Sequence, residues 1–334
     1  MRGLDTQIFI WHRLERVAVV PHILCACVLT LHGCVPKIDV SLDGDDASVP
    51  PLPASIPEVV QVSVGWRDTC AIRTDGRLSC WGSEFGDTSK HAPPTGHYTQ
   101  VSAGGYHACA IRSDGETVCW GDNAYGQLDV PDERFATIAA GDYHTCGVRE
   151  DRSLRCWGSD GKFVDQGQSR APDIRAVEIS AGGRVTCALL DGGAVQCWGL
   201  DVTGSCAQDG AQGMPCPHWD DRGPLSAPVG VTFEHISVDF VFACGLTTDH
   251  ELRCWGSNAS GESHPPHGTF DQVSGRCALS QGIAWCWGTP ELPAPDGHFV
   301  SISARDYACA VTADNVMQCW GGGEFNLSPP GSLP

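Results

Sequence analysis

The sequence predicts an all-β fold, a seven-bladed β-propeller built from seven repeats, on three observations. A unit of the form Cys, Asp-Gly-type turn, Cys-Trp-Gly recurs seven times along the chain. Within each unit the residues alternate with period two around the turn, the pattern of a β-hairpin. Before each hairpin stands another short strand-like segment, so the repeating element is a small antiparallel sheet that cannot bury both of its faces alone.

The chain of 334 residues opens on a segment, 1–34, in which Arg13 and Arg16 precede an apolar run from Val17 to Leu31 that ends in Leu-His-Gly-Cys at Cys34. This resembles a bacterial lipoprotein signal, which implies lipidation at Cys34 and loss of everything before it. An ordinary secretory signal and an uncleaved start are the alternatives. No later stretch approaches the 18 or so apolar residues of a membrane span. Residues 35–57 are acidic and Pro-rich without apolar period and read as a tether. Residues 58–334 hold the seven repeats, with an insertion at 200–228.

The first cysteines of the units are Cys70, Cys109, Cys146, Cys187, Cys244, Cys277 and Cys309; the second are Cys80, Cys119, Cys156, Cys197, Cys254, Cys286 and Cys319. Pairing across the turn puts Cys70 opposite Cys80 and Ile72 opposite Leu78 on one face, and Trp81 opposite Thr69 on the other. Around the seven units the residue facing that Trp is Thr69, Ala108, Thr145, Thr186, Ala243, Arg276 and Ala308, small in six cases. The sixth hairpin is one residue shorter, yet a two-residue Gln281-Gly282 turn keeps Cys277 opposite Cys286. Register is preserved where spacing is not, as a cross-strand disulfide requires. Each would contribute roughly 3 kcal/mol by loop entropy. Buried free cysteines acting as small hydrophobes are the alternative; zinc fits less well, since the chain has no CxxC.

The second unit, Val101 to Leu128, resembles the repeat of the regulator of chromosome condensation family. It carries a Gly-x-x-His segment at Gly104 to His107, a turn at Asp114-Gly115, the pair Trp120-Gly121, and the tail Asn123 to Leu128. The resemblance implies a seven-bladed propeller over about residues 59–334. First cysteines are spaced 39, 37, 41, 57, 33 and 32 residues apart, short for the family, so some outer strands are expected to be missing. The nuclear exchange activity of the founding member is not implied for an acidic, cysteine-rich, exported chain. A secreted bacterial propeller of this class that inhibits β-lactamase implies instead that such a ring can serve purely as a binding surface.

Composition narrows the function. A formal charge of −19 opposes nucleic acid and anionic lipid surfaces, and 19 cysteines point to an oxidising compartment. The insertion holds Cys206 and Cys216, an eighth expected disulfide pair, around a Gly-rich loop that carries Met214, His218 and Trp219. A loop stapled in advance loses less entropy on binding, which makes these three residues the candidate partner-binding loop; a tolerated decoration is the alternative. Tyr106-His107 and Tyr143-His144 recur as a pair and read as structural. Asp68, Asp142, Asp239 and Asp306 recur near one turn and are expected to ring one mouth of the propeller as a solvated rim. No GxSxG, HExxH or phosphate-cradling loop occurs, so no catalytic residue, metal or cofactor is assigned. The expected function is a non-catalytic, exported protein-interaction or scaffold module, a monomer anchored through Cys34 in a bacterial envelope. Glycan or small-ligand binding or hydrolysis in the funnel, and a structural envelope role, are the alternatives.

Overall fold

The computed structural model describes residues 59–66, 68–82, 92–159, 165–200, 227–290 and 292–321. The signal segment, the tether and Cys34 lie outside the described residues, as do Cys206, Cys216, Met214, His218 and Trp219. The described chain forms seven three-stranded antiparallel sheets whose strands are neighbours in space in the order they have in sequence. These are the blades of a seven-bladed propeller.

In the first blade Val59–Val64, Asp68–Arg73 and Leu78–Gly82 pair in that order. The first strand of each blade contacts the first strands of the blades before and after it, so these strands are innermost. They are Val59–Val64, Tyr98–Ala103, Thr137–Ala140, Ala176–Gly182, Phe233–Val238, Gln272–Ser274 and Phe299–Ala304. Among the described residues no fourth strand flanks the Cys-Trp-Gly strand in any of the seven sheets, in keeping with the short repeat spacing.

Hairpin register follows the sequence pattern: Cys70 pairs with Cys80, Thr69 with Trp81 and Ile72 with Leu78. The short sixth hairpin pairs Cys277 with Cys286 and Ser280 with Ile283, closing through Gln281 and Gly282, both at positive φ as a tight two-residue turn demands. Seven disulfides join the facing cysteines, with Cα atoms 3.9–4.1 Å apart.

The two hairpin faces meet between blades. Cys70 and Ile72 of the first blade pack on Tyr98, Val101 and Trp120 of the second, and Cys309 and Val311 of the seventh pack on Val62 and Trp81 of the first. The core is therefore a set of interblade layers, each with a disulfide on one side and an indole on the other. Several indoles also donate from Nε1 to the loop entering their own blade: Trp157 to the Gln127 carbonyl at 3.0 Å, Trp198 to Gln168 at 2.9 Å and Trp287 to Glu262 at 2.7 Å. Replacing Cys109 and Cys119 together by alanine is expected to lower stability by about 2 to 3 kcal/mol, read as a shift of the urea midpoint. An unchanged midpoint would show that the crosslink constrains nothing the unfolded chain is free to lose.

The inner strands are laced by side chains. Ser63 Oγ accepts from Ala103 N at 2.9 Å, Ser102 from Ala140 N at 2.9 Å and Ser237 from Gly275 N at 2.8 Å. Gln61 brackets Val101, accepting from its N–H and donating to its carbonyl, and Gln100 does the same to Ile138. Closure of the ring uses the same device: Ser303 Oγ accepts from Val64 N at 2.9 Å, and Thr69 Oγ1 meets the Tyr307 hydroxyl at 2.8 Å.

The alternation of Thr and Ala opposite the Trp now has a cause. Thr145 Oγ1 bonds His107 Nε2 at 2.6 Å, Thr186 Oγ1 bonds His144 Nε2 at 2.7 Å, and Thr69 bonds Tyr307. Each of these three threonines faces a His or Tyr of the preceding blade. Where that blade supplies Val185 or Gly275, which have no polar side chain, the facing residue is Ala243 or Ala308. A buried hydroxyl is kept only where it has a partner.

Candidate functional site

The turns joining inner to middle strands lie at one end of the ring, and those of the first four blades bond to one another. Trp66 N donates to Gly104 O at 3.3 Å, Gly105 N to Gly141 O at 3.1 Å, and Asp142 N to Gly183 O at 2.9 Å. This close approach explains the glycine of the Gly-x-x-His segment: a Cβ on Gly104 would sit 2.2 Å from Gly141 O, inside any allowed contact. Successive turns are thereby held in step, and the side chains they carry come together.

Those side chains are largely aromatic. Tyr106 and Tyr143 stack with centroids 4.9 Å apart at 21°. Trp66 meets Tyr106 edge-on at 5.4 Å, and Tyr125 meets Tyr143 edge-on at 5.2 Å. The Arg184 guanidinium lies 5.7 Å from the centre of the Tyr143 ring. The first three blades thus contribute rings to one aromatic wall, the fourth sets Arg184 over it, and Phe240 of the fifth, 53% exposed, lines the same cavity.

Beneath lies an ionic floor that crosses the ring. Arg305 of the seventh blade donates from Nη2 to Asp142 Oδ1 of the third at 2.6 Å, and its Nε stands 3.5 Å from Asp239 Oδ1 of the fifth. All three side chains are about nine-tenths buried. Burial would lower the Arg305 guanidinium, but Asp142 and Asp239 outweigh it and hold the group above its usual value. Burial also pushes the Asp239 carboxyl up, against the pull of Arg305. Wall and floor enclose a cavity of about 370 Å³, at the small end of the roughly 300–1,000 Å³ typical of ligand sites.

The expected acidic rim is corrected in part. Asp306 is exposed at the mouth, but Asp142 and Asp239 are buried in the floor against Arg305, and Asp68 is buried in its middle strand. A ring of unpaired carboxylates would repel itself, and the arginine resolves this by burying two of them with a countercharge. His107 and His144 are fully buried and join blades rather than face the mouth, while their neighbours Tyr106 and Tyr143 line it. Trp66, Arg184, Phe240 and Arg305 were not singled out by sequence pattern. The available signal was positional: each lies in the turn that closes the inner strand.

A second hollow of about 450 Å³ opens at the opposite end, where Glu178 and His235 approach to 3.3 Å. The hydrogen bond that His235 donates to Glu178 raises its imidazole above the usual value. Among the described residues no three His, Cys, Asp or Glu side chains converge as metal ligands.

A family model described as the regulator of chromosome condensation (RCC1) repeat matches residues 59–85, 98–127, 135–163 and 240–262. No curated protein matches the chain. Among solved structures, the ectodomain of the Physcomitrella patens receptor kinase CR4 is similar with a TM-score of 0.63 and 23% identity over 79% of this chain and 73% of that one. The CRINKLY WD40 ectodomain of the Arabidopsis thaliana receptor kinase ACR4 gives 0.61 and 21% over 80% and 98%. Prp20p from Saccharomyces cerevisiae gives 0.49 and 19% over 80% and 72%. The likenesses to the two receptor-kinase ectodomains are of fold.

Proposed function

We propose that this chain, a seven-bladed propeller of regulator of chromosome condensation repeats, is a non-catalytic recognition module that engages its partner at the aromatic mouth. The observation that carries the reading is the convergence of Trp66, Tyr106, Tyr143 and Phe240 from separate blades on one cavity. Exposed aromatic surface on a rigid frame is what binding hot spots are made of, because rings bury large areas while losing little freedom. Asp142 and Asp239 serve Arg305, so neither is poised as a general base. A photo-crosslinking residue at Phe240 should join a specific macromolecule in the native envelope. The same residue at Val316, exposed beside the opposite, middle-to-outer turn of the seventh blade, should not. Equal labelling at both positions would defeat the reading.

The compartment follows from the disulfides. Seven crosslinks in the described residues suit an oxidising environment, in accord with the export signal read at 1–34. The Leu-His-Gly-Cys box favours a bacterial lipoprotein held by Cys34, with 35–57 as its tether, and a monomeric ring. Cys34→Ser is expected to move the protein from the membrane to the soluble fraction. Retention on the membrane would remove the anchor from this account.

A further inference from the structure

Resting on that reading of the mouth, we propose that the 370 Å³ cavity is a carbohydrate subsite that takes one neutral pyranose ring. Three properties of the site select this chemistry. The first is charge. Arg305 is matched by Asp142 and Asp239, Arg184 lies over Tyr143, and Asp306 stands in the field of Arg305. Two arginines stand against three aspartates, and two of those aspartates are already paired with Arg305, so the site carries an excess of only one negative charge and a neutral ligand adds none to it. An anion would also approach a chain of formal charge −19, against the long-range field.

The second property is the pairing of aromatic surface with fixed polar edges. A pyranose has C–H faces that lie against aromatic rings and a rim of hydroxyls that need directed donors and acceptors. Phe240, Trp66 and Tyr106 supply the first. The Asp142 carboxylate and the Arg305 guanidinium, locked at 2.6 Å, supply the second without reorganisation, and a preorganised site loses less on binding. The volume suits a ligand of roughly ten to twenty heavy atoms, at the lower end of the usual range.

The third is what the turns have already used. Trp66 N, Gly105 N and Asp142 N are bonded to Gly104 O, Gly141 O and Gly183 O. Among the described residues, these turns of the first four blades therefore offer no open backbone edge along which an extended peptide could add. A compact ligand entering end-on fits, and a terminal sugar of a larger glycan meets that description.

The test is calorimetric titration of the full disulfide-bonded chain with methyl glycosides of glucose, galactose, mannose, fucose and N-acetylglucosamine, with galacturonate and glucosamine as charged counterparts. At least one neutral glycoside should saturate with a Kd on the order of 1 mM, as a ligand of this size allows. Phe240→Ala should weaken it about fivefold or more, and Val316→Ala should leave it unchanged. Saturation by charged sugars only, no saturation by any neutral glycoside up to about 50 mM (well above that expected Kd), or indifference to Phe240→Ala would each overturn the proposal. The Phe240 crosslink separates the two levels. A crosslink to a partner without sugar binding sinks this inference alone, whereas loss of both sinks the recognition reading as well.

Discussion

Arg305→Met should destabilise the protein by about 3 to 5 kcal/mol, the cost of leaving buried carboxylates without their countercharge. Asp142 and Asp239 come from the third and fifth blades and reach the same guanidinium, so its removal leaves two buried acids without their countercharge. Methionine fills most of the volume, which separates the electrostatic loss from a cavity. Adding Asp142→Asn and Asp239→Asn should recover a large part of the loss, because the amides carry no charge to strand. Denaturation in urea at pH 7 measures both variants. If Arg305→Met alone costs under about 1 kcal/mol, the range of an exposed pair, the three groups do not act as a buried unit.

The second large effect is acid sensitivity centred on His144. Its ring is fully buried, and burial lowers its pKa from 6.5 to about 3. A folded-state pKa below the unfolded one means that the unfolded chain takes up the proton first as pH falls. Stability from this group is complete above about pH 6.5 and drains away toward pH 3. Between pH 7 and pH 4 the loss is about 3 kcal/mol, at roughly 1.4 kcal/mol per unit. His144→Gln, which can still reach Thr186, should show a shallower decline over that interval when urea midpoints are compared at matched pH. Parallel declines would show that burial of the His144 ring is not what makes the fold acid-sensitive.

What the sequence made legible was whatever repeats inside one unit. The opposition of Cys277 and Cys286 across a shortened turn could be counted from spacing, and with it the register, the two faces and the indole side. What stayed hidden lies between units. The serine lacing of Ser63 to Ala103 joins residues 40 apart, and the Arg305–Asp142 bond spans 163, so no local pattern encodes either. The choice of Thr or Ala opposite each Trp was visible as a fact but not as a rule, since its cause is the His or Tyr of the blade before. The aromatic mouth was half legible: Tyr106 and Tyr143 stood out beside their histidines, while Trp66, Phe240 and Arg184 share with them only a place in the turn. Tyr–His pairs drew notice for the histidine, and the tyrosine faces the site.

The seam between the seventh blade and the first is held by Ser303 to Val64 and Thr69 to Tyr307, the kinds of contact found between other blades, and among the described residues no strand of either sheet crosses it. In the described residues the ring has no privileged starting point. A gene rearranged so that translation began at another blade would specify the same set of neighbours, with every disulfide still internal to one blade. Rotation of the reading order, and duplication or loss of a whole unit, are then moves that leave each surviving unit's own crosslink untouched. The ring can change its number of members without relearning how any one of them folds.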